Sequence, residues 1–219
     1  GSVIVREPIP SRNHTEIMLA EFGCELTVDE GVVELGEERN LHGSTIAIAA
    51  DPSSSAFALT AAALVPGSSV EVRDLLVNQF RTGLFEALEE MGAEVELADE
   101  RVQSGEVVAT IRIGHASLQP IEAAAERIPA MIDEVPLLAV AAAFADRESV
   151  IHGLAELRHK ESDRLGAIVA GLSACGVTAM VKGDSLHVFG RGRVRGGARI
   201  LAQGDHRIAM AFLVLGLAS

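Results

Sequence analysis

Short apolar runs alternate with alanine-rich stretches along the chain, and this alternation predicts strands and helices in a mixed α/β fold. Short strands are predicted before residue 51, at residues 3–6, 24–28, 32–36 and 44–50. A helix is predicted over residues 13–22, where Asn13 and Glu16 have the spacing of a capping box. A second helix is predicted over residues 53–65 and ends at Pro66-Gly67.

The order of these elements repeats along the chain. Residues 61–97 and 141–180 each predict an alanine-rich helix, a strand, a second helix that ends at a glycine, and another strand. The second copy is about four residues longer, with the extra residues placed around 158–164. A third copy begins at residue 204, and residues 1–48 resemble the end of another copy. The repeats predict an α/β fold of β-α-β-α-β-β modules, in a chain that is a piece of a longer protein.

Composition narrows the choice of partner. Of the 219 residues 48% are hydrophobic and 3% are aromatic, and the net charge is −13, so a core can form but neither nucleic acid nor an anionic membrane surface is expected to bind. No apolar run is long enough to span a bilayer. Cys24 and Cys175 lack metal-ligand spacing, and we expect two small buried thiols in a reducing cytoplasm.

Six ionisable side chains lie within residues 158–164, immediately before an apolar helical stripe. Lys160, Glu161 and Arg164 are predicted on the first turn of that helix, with Glu161 and Arg164 spaced for an ion pair. A solvated helix face explains such a charge run, whereas two cations at the positive end of a helix dipole favour a bound anion. Both interpretations stay open at this point.

Three other helix starts also carry polar side chains. Asp133 precedes an apolar helix and is either its N-cap or a carboxylate that desolvation makes a better base. Residues 205–207, Asp-His-Arg, immediately precede Ile208–Leu217. That stretch is predicted to be a helix buried on all sides. Ser11 and Arg12 precede the first helix, where a hydroxyl and a guanidinium favour phosphate binding.

Three of these four helix starts carry an arginine, which predicts a cleft for a multiply anionic substrate. Asp133 and Glu161 are then the candidates for proton transfer. The remaining histidines are interpreted as structural because they form no metal-ligand pattern, and no metal site is predicted. They are His42, His115, His152 and His187.

Five segments have distinctive amino-acid sequences. They are SRNHTEIMLAEFG, DPSSSAFALTAAALVPGS, MIDEVPLLAVAAAFA, ELRHKESDRL and GDHRIAMAFLVLGL. In this order they resemble the family of 5-enolpyruvylshikimate-3-phosphate synthases (3-phosphoshikimate 1-carboxyvinyltransferases). The resemblance extends over essentially all 219 residues, and the pair KESDR and DHRIAM is highly specific.

The resemblance implies the enolpyruvyl transferase fold, in which each of two lobes is an inside-out α/β prism of three β-α-β-α-β-β units. It implies that residues 1–48 are the C-terminal part of the first lobe and that residues 49–219 form most of the second, with two repeats and the start of a third. The implied reaction transfers the enolpyruvyl group from phosphoenolpyruvate to the 5-hydroxyl of shikimate 3-phosphate and releases phosphate. The family uses neither a metal nor an organic cofactor.

The resemblance also implies roles for individual residues. Asp133 would take the proton of the 5-hydroxyl, Glu161 would handle the proton of the phosphoenolpyruvate methylene, and Lys160 would lie beside it. The implied substrate-binding residues are Ser11 and Arg12 for the shikimate phosphate, Arg164 and Arg207 for phosphoenolpyruvate, and His206 next to that site.

The resemblance implies a fragment that lacks the N-terminal half and the C-terminal end, because the family's N-terminal motifs and the lysine motif after the third repeat's helix are not found in these 219 residues. We therefore expect the isolated chain to bind substrates poorly and not to turn over. A full-length relative is expected to be a monomer, whereas this chain could self-associate through an exposed sheet edge. Two alternatives stay open: the sister enolpyruvyl transferase that acts on UDP-N-acetylglucosamine, and a catalytically dead binding domain.

Overall fold

The structure is a computed structural model that describes residues 1–29, 31–37 and 40–219. The strands are β1 (Val3–Arg6), β2 (Leu26–Asp29), β3 (Val32–Leu35), β4 (Ser69–Leu76), β5 (Val95–Gln103), β6 (Glu106–Gly114), β7 (Glu122–Ala123), β8 (Glu148–Ile151), β9 (Thr178–Lys182) and β10 (Ser185–Phe189). The α-helices are α1 (His14–Glu21), α2 (Pro52–Leu64), α3 (Gly83–Glu90), α4 (Val135–Ala143), α5 (Arg164–Ala174) and α6 (His206–Ala218). Short 3-10 helices occupy Ala125–Ala130 and Ala155–His159.

Hairpins and helical crossovers arrange the strands in three sheets. The first sheet has the order β1-β3-β2 and is antiparallel. In the sheet β7-β8-β10-β9 the first pair is parallel, because α4 connects β7 to β8, and the other pairs are antiparallel. The sheet β4-β6-β5 repeats this pattern, since Ala50 forms a parallel bridge to Leu75 of β4. The predicted α/β fold of repeated β-α-β-α-β-β modules is confirmed.

The strand predicted over residues 44–50 does not form. Only Ala50 pairs with a strand, and the apolar side chain of Ile48 is 90% exposed. The N–H of Ala47 donates instead to the hydroxyl of Ser104, at 2.9 Å, in the turn between β5 and β6. Apolar alternation makes a strand only where a partner strand is available, and among the described residues this segment has one only at Ala50.

Two predicted helix starts differ in their capping. Asn13 is the N-cap of α1, but its side chain accepts a hydrogen bond from Asn78 at 2.7 Å and makes no capping bond, so the capping box with Glu16 is absent. Asp133 is not the N-cap of α4. That position is held by Glu134, whose side chain also makes no capping bond. The N-cap interpretation of Asp133 is wrong because its carboxylate is bound by arginines from other elements.

Most of the charged stretch at residues 158–164 precedes α5 and is not part of its first turn. Asp163 caps the helix by accepting a backbone N–H at 3.0 Å, so Lys160 and Glu161 lie before the helix and only Arg164 is inside it. The predicted ion pair between Glu161 and Arg164 is present. The segment between the strand and the second helix is longer in the second repeat, at residues 152–163 against 77–82, and α5 has 11 residues against 8 in α3. Extra residues of the second repeat therefore lie both at the predicted place around 158–164 and within α5.

The largest core cluster includes residues of α2, α4 and α6 and of the two sheets built on β4 and β8. Every residue of α4 is buried, and its alanines allow the neighbouring helices to approach closely. In α6, Ile208, Phe212 and Leu215 are buried, but Leu213 is 72% exposed and Leu217 66% exposed. The prediction of a helix buried on all sides is therefore wrong, because the described residues cover one face of α6.

Both cysteines are buried, as predicted, and burial raises the pKa of the Cys175 thiol. None of the helices in the described ranges has the length and apolar character needed to cross a membrane. Within the same ranges, His, Cys, Asp and Glu side chains do not gather in groups of three or more that could hold a metal ion.

Candidate active site

Asp133 lies where three arginines from distant parts of the sequence meet. Its Oδ2 accepts a hydrogen bond from Arg12 Nη2 at 2.8 Å and lies 3.6 Å from Arg207 Nη2. Its Oδ1 accepts from Arg164 Nη1 at 3.2 Å. Arg12 precedes α1, Asp133 precedes α4, Arg164 begins α5 and Arg207 is the second residue of α6. The four helix starts singled out in the sequence thus come together in space.

Arg164 is fully buried, and each of its three guanidinium nitrogens donates to a carboxylate. Its Nε donates to Asp205 Oδ2 at 2.8 Å, its Nη1 donates to Asp133, and its Nη2 donates to Glu161. The other oxygen of Asp205 caps α6 by accepting the backbone N–H of Arg207 at 2.9 Å. The three carboxylates neutralise a cation that would otherwise oppose the positive end of the α5 dipole. We call this set of six the Asp133 cluster: Arg12, Asp133, Glu161, Arg164, Asp205 and Arg207.

Burial and neighbouring charges shift the pKa values of the two aspartates of the cluster in opposite directions. Burial by itself raises the pKa of Asp133, but the hydrogen bond from Arg12 and the charges of the surrounding arginines outweigh it and hold that pKa below its usual value. The pKa of Asp205 is lowered in the same way, because the hydrogen bond and charge of Arg164 outweigh its burial. Both side chains are therefore ionised at neutral pH.

Glu134 belongs to a second polar network next to the cluster. It is 4% exposed, its Oε1 lies 3.5 Å from Arg207 Nη1, and burial raises its pKa. The Ser53 oxygen accepts from Arg81 Nη2 at 3.0 Å, and the same nitrogen donates to Asp51 Oδ1 at 2.8 Å. Glu134 therefore lies between Arg207 and this polar group at the start of α2.

Three residues that the resemblance implied do not belong to the Asp133 cluster. Lys160 pairs with Glu156 four positions earlier. Ser11 donates its hydroxyl hydrogen bond to Glu7 Oε1 at 3.0 Å. His206 begins α6 and is exposed. The structure brings together the other five, which are Arg12, Asp133, Glu161, Arg164 and Arg207.

Sequence reasoning missed Asp51, Ser53 and Arg81. Asp51 is the N-cap of α2, and an aspartate followed by a proline at the first helical position is a signal that could have been used. Arg81 has no local signal, since it lies in the loop before α3 and its partner Asp51 is 30 positions away. Asp51 and Arg81 also line a mainly apolar cavity of about 430 Å³ between α1 and the segment that leads into α2.

Comparison with known proteins agrees with this architecture. The family model for EPSP synthase (3-phosphoshikimate 1-carboxyvinyltransferase) matches residues 1–219. The 3-phosphoshikimate 1-carboxyvinyltransferase of Methylorubrum extorquens is 50% identical over 227 residues, and that of Rhodospirillum rubrum is 48% identical over 225 residues. Each match covers 100% of this chain and 50% of the relative, so the chain spans about half the length of these curated relatives.

Solved structures give the same result. The EPSP synthase from Acinetobacter baumannii superposes with a TM-score of 0.92 at 37% identity and covers 99% of this chain and 50% of that chain. The enolpyruvyl transferase NikO from Streptomyces tendae has a TM-score of 0.69 at 18% identity over 100% of this chain and 49% of its own, and it shares the fold. The predicted enolpyruvyl transferase fold is therefore confirmed, and this chain belongs to the EPSP synthase family.

Proposed function

We propose that this chain supplies acid–base and anion-binding residues for the transfer of an enolpyruvyl group from phosphoenolpyruvate to the 5-hydroxyl of shikimate 3-phosphate, with release of phosphate. The observation that carries the proposal is the convergence of Arg12, Arg164 and Arg207 on the single carboxylate of Asp133. Both substrates are anions that arginine forks bind well. Membership of the family supports the same reaction.

Asp133 and Glu161 take the two proton-transfer roles. In the addition step Asp133 accepts the proton of the 5-hydroxyl while that oxygen bonds to C2 of phosphoenolpyruvate, and Glu161 protonates the C3 methylene. In the elimination step the bond from C2 to the phosphate oxygen breaks, and Glu161 takes a proton back from the C3 methyl group. Asp133 returns its proton to the leaving phosphate, so protons balance and nothing is oxidised or reduced.

The arginines also govern how basic Asp133 is. They keep its pKa low, which holds the carboxylate ionised but makes it a weak base. The side chains of Arg12 and Arg207 are 37% and 17% exposed, whereas Arg164 is fully buried. Substrate oxygens that bind Arg12 and Arg207 draw them away from Asp133 and raise its pKa. Substrate binding thereby makes the Asp133 carboxylate a stronger base.

The remaining assignments rest on the family resemblance. Lys160 stands beside Glu161 in the sequence and is assigned to the substrates. Ser11 is assigned to the shikimate phosphate with Arg12, and His206 to the phosphoenolpyruvate side of the site. In this structure each guanidinium nitrogen of Arg164 donates to a carboxylate. Arg164 therefore reaches phosphoenolpyruvate only if Glu161 moves to its proton-transfer position.

The first prediction concerns phosphate release from phosphoenolpyruvate. The purified chain alone is expected to release no phosphate above background. The same chain joined to the segments of the Methylorubrum extorquens relative that lie outside the matched half is expected to release phosphate only when shikimate 3-phosphate is also present. In the joined protein Asp133→Asn should lower kcat by about 10²- to 10⁴-fold, because the base is lost.

The matched control is Asp146→Asn, which alters a side chain that is 60% exposed and should leave kcat unchanged. Turnover by the chain alone would contradict the expected inactivity. Turnover of the joined protein with UDP-N-acetylglucosamine in place of shikimate 3-phosphate would assign it to the sister reaction. A joined protein that folds and turns over neither substrate would support a dead binding domain.

A further inference from the structure

Glu134 is a buried carboxyl that its own helix does not need. It occupies the N-cap position of α4, yet its side chain makes no capping bond. It is 4% exposed, and the nine residues of α4 that follow it are all buried. A carboxyl in such surroundings destabilises the fold unless polar partners compensate for its burial. The reason for its presence therefore lies outside α4.

Among the described side chains, Glu134 makes its polar contact with Arg207. Its Oε1 lies 3.5 Å from Arg207 Nη1. Its Oε2 is buried and has no hydrogen-bond partner among the described residues, and the same is true of Arg81 Nε. Buried polar atoms without partners are rare, and they concentrate where a protein binds something or does chemistry.

Arg207 is the most loosely held arginine of the Asp133 cluster. Its guanidinium lies 3.6 Å from Asp133 Oδ2, 3.5 Å from the Asp133 backbone oxygen and 3.5 Å from Glu134 Oε1. By comparison, Arg12 and Arg164 each donate a hydrogen bond of 2.8 Å to a carboxylate. Contacts as long as those of Arg207 are weak, so its N–H groups stay available to an incoming anion.

On the side away from Arg207, Glu134 lies beside a hydrogen-bonded group at the start of α2. Arg81 donates to both Asp51 and Ser53, at 2.8 Å and 3.0 Å. Asp51 in turn accepts backbone N–H groups at the start of α2. Among the described residues, Arg207 is therefore the cation that pairs with the Glu134 carboxylate.

We propose that Glu134 is a positioning residue for Arg207, which it orients toward the anion site and whose charge it offsets until an anion binds. This inference rests on the proposed function, because phosphoenolpyruvate is the anion assigned to Arg207. The titratable and charged groups that face Glu134 are Asp133 on its own segment, Arg207 on α6 and Arg81 before α3.

The test follows the side-chain Nε–Hε resonance of Arg207 by NMR as the pH of the chain is varied, and it needs no substrate. In the unaltered chain the resonance should show a step above the usual glutamate pKa of about 4.3, since burial raises the pKa of Glu134. The step of Asp133 lies lower, because its pKa is lowered. In Glu134→Gln the upper step should disappear. The same upper step in Glu134→Gln would overturn the inference.

Two further variants make the result specific. Glu100→Gln makes the same charge change at an exposed position of β5 and should leave the step intact. Glu134→Ala removes the contact as well as the charge, and it should weaken the binding of sulfate at Arg207 about tenfold, whereas Glu134→Gln should retain it. Backbone amide spectra establish that each variant is folded. Equal sulfate affinity of the unaltered chain and Glu134→Ala would contradict the positioning role.

Sulfate also separates this inference from the proposed function. Its charge is constant over the pH range used, so a shift of the Arg207 resonance reports binding. If sulfate shifts Arg207 in none of the proteins while the pH step behaves as expected, Arg207 is not an anion site and the proposed function loses support. The coupling of Glu134 to Arg207 would still stand. If sulfate binds but the step persists in Glu134→Gln, the positioning role fails alone.

Discussion

Asp205 combines two tasks in one fully buried side chain. Its Oδ1 accepts the backbone N–H groups of Arg207 and Ile208 and so caps α6, and its Oδ2 accepts from Arg164 and from the Ser162 hydroxyl. Asp205 and Arg164 are both fully buried. Removing one partner of a buried ion pair leaves the other charge uncompensated and typically destabilises a protein by about 3–5 kcal/mol. Stability at the centre of the site therefore depends on Asp205.

Asp205→Asn is expected to lower the free energy of unfolding by about 3 kcal/mol at pH 7, because asparagine can still cap α6 but cannot neutralise Arg164. The folded-state pKa of Asp205 lies below its unfolded value. Its contribution is therefore complete above the unfolded pKa of about 3.9 and is lost as the pH falls through the folded pKa. The difference between the variant and the unaltered chain should narrow only below about pH 4.

Urea unfolding at several pH values measures this difference, and Asp184→Asn at an exposed turn is the matched control. A difference that narrows near pH 6, or one that is absent at pH 7, would contradict the assigned ion pair.

At the scale of elements, α5 and α6 pack so closely that a side chain at one glycine position would displace its neighbour. A Cβ added to Gly171 of α5 would lie 2.2 Å from the Cζ of Phe212 on α6, and Phe212 is itself 7% exposed. The two helices carry Arg164 and Arg207 at their starts. Their close packing therefore sets the separation of two arginines of the cluster.

Gly171→Ala is expected to reduce the free energy of unfolding by about 1–3 kcal/mol, because the buried ring has to shift. Gly216→Ala, on an open face of α6 with no atom within 4 Å of the added Cβ, is the control and should stabilise the chain by about 0.5 kcal/mol. Thermal and urea unfolding of both variants provide the measurement. Equal stability of the two variants would show that α5 and α6 are packed less tightly than described.

At the scale of the whole molecule, the sheet β1-β3-β2 is small and has little apolar cover among the described residues. Val3, Ile4 and Val5 on its edge strand β1 are 46%, 52% and 51% exposed. Polar contacts near α1 connect this part of the chain to the rest, such as His14 Nδ1 to Glu106 Oε1 at 2.6 Å. The division into lobes at residues 1–48 and 49–219 stays a prediction.

The isolated chain is expected to self-associate through β1, because an exposed apolar edge strand offers unpaired backbone groups to a second copy. Ile4→Lys should shift the chain toward the monomer without changing its unfolding midpoint. Leu201→Lys, which alters a side chain that is 71% exposed away from this sheet, is the control and should not have that effect. Sedimentation velocity over a range of concentrations measures association. A monomeric unaltered chain at every concentration would refute this prediction.

The sequence by itself determined the order of the modules and the helix starts that carry the site. Apolar periodicity, helix-ending glycines and charges before apolar runs are local signals, and they were sufficient to place Arg12, Asp133, Arg164 and Arg207 at the beginnings of helices. Predictions from local signals were wrong where a strand or side chain had no pairing partner nearby or had one far away in the sequence. The alternation at residues 44–50 forms no strand, and the capping box of Asn13 is replaced by a bond to Asn78.

Only the tertiary structure decided which side chains meet. Asp133 looked like a helix cap in the sequence and proved to be the common partner of three arginines, because packing of α1, α4, α5 and α6 brings their starts together. Packing likewise buries Glu134 against Arg207 and brings Arg81, a residue without any local signal, to Ser53 and Asp51. Burial and charge pairing depend on neighbours that are far away in sequence, and these neighbours exist only in the folded chain.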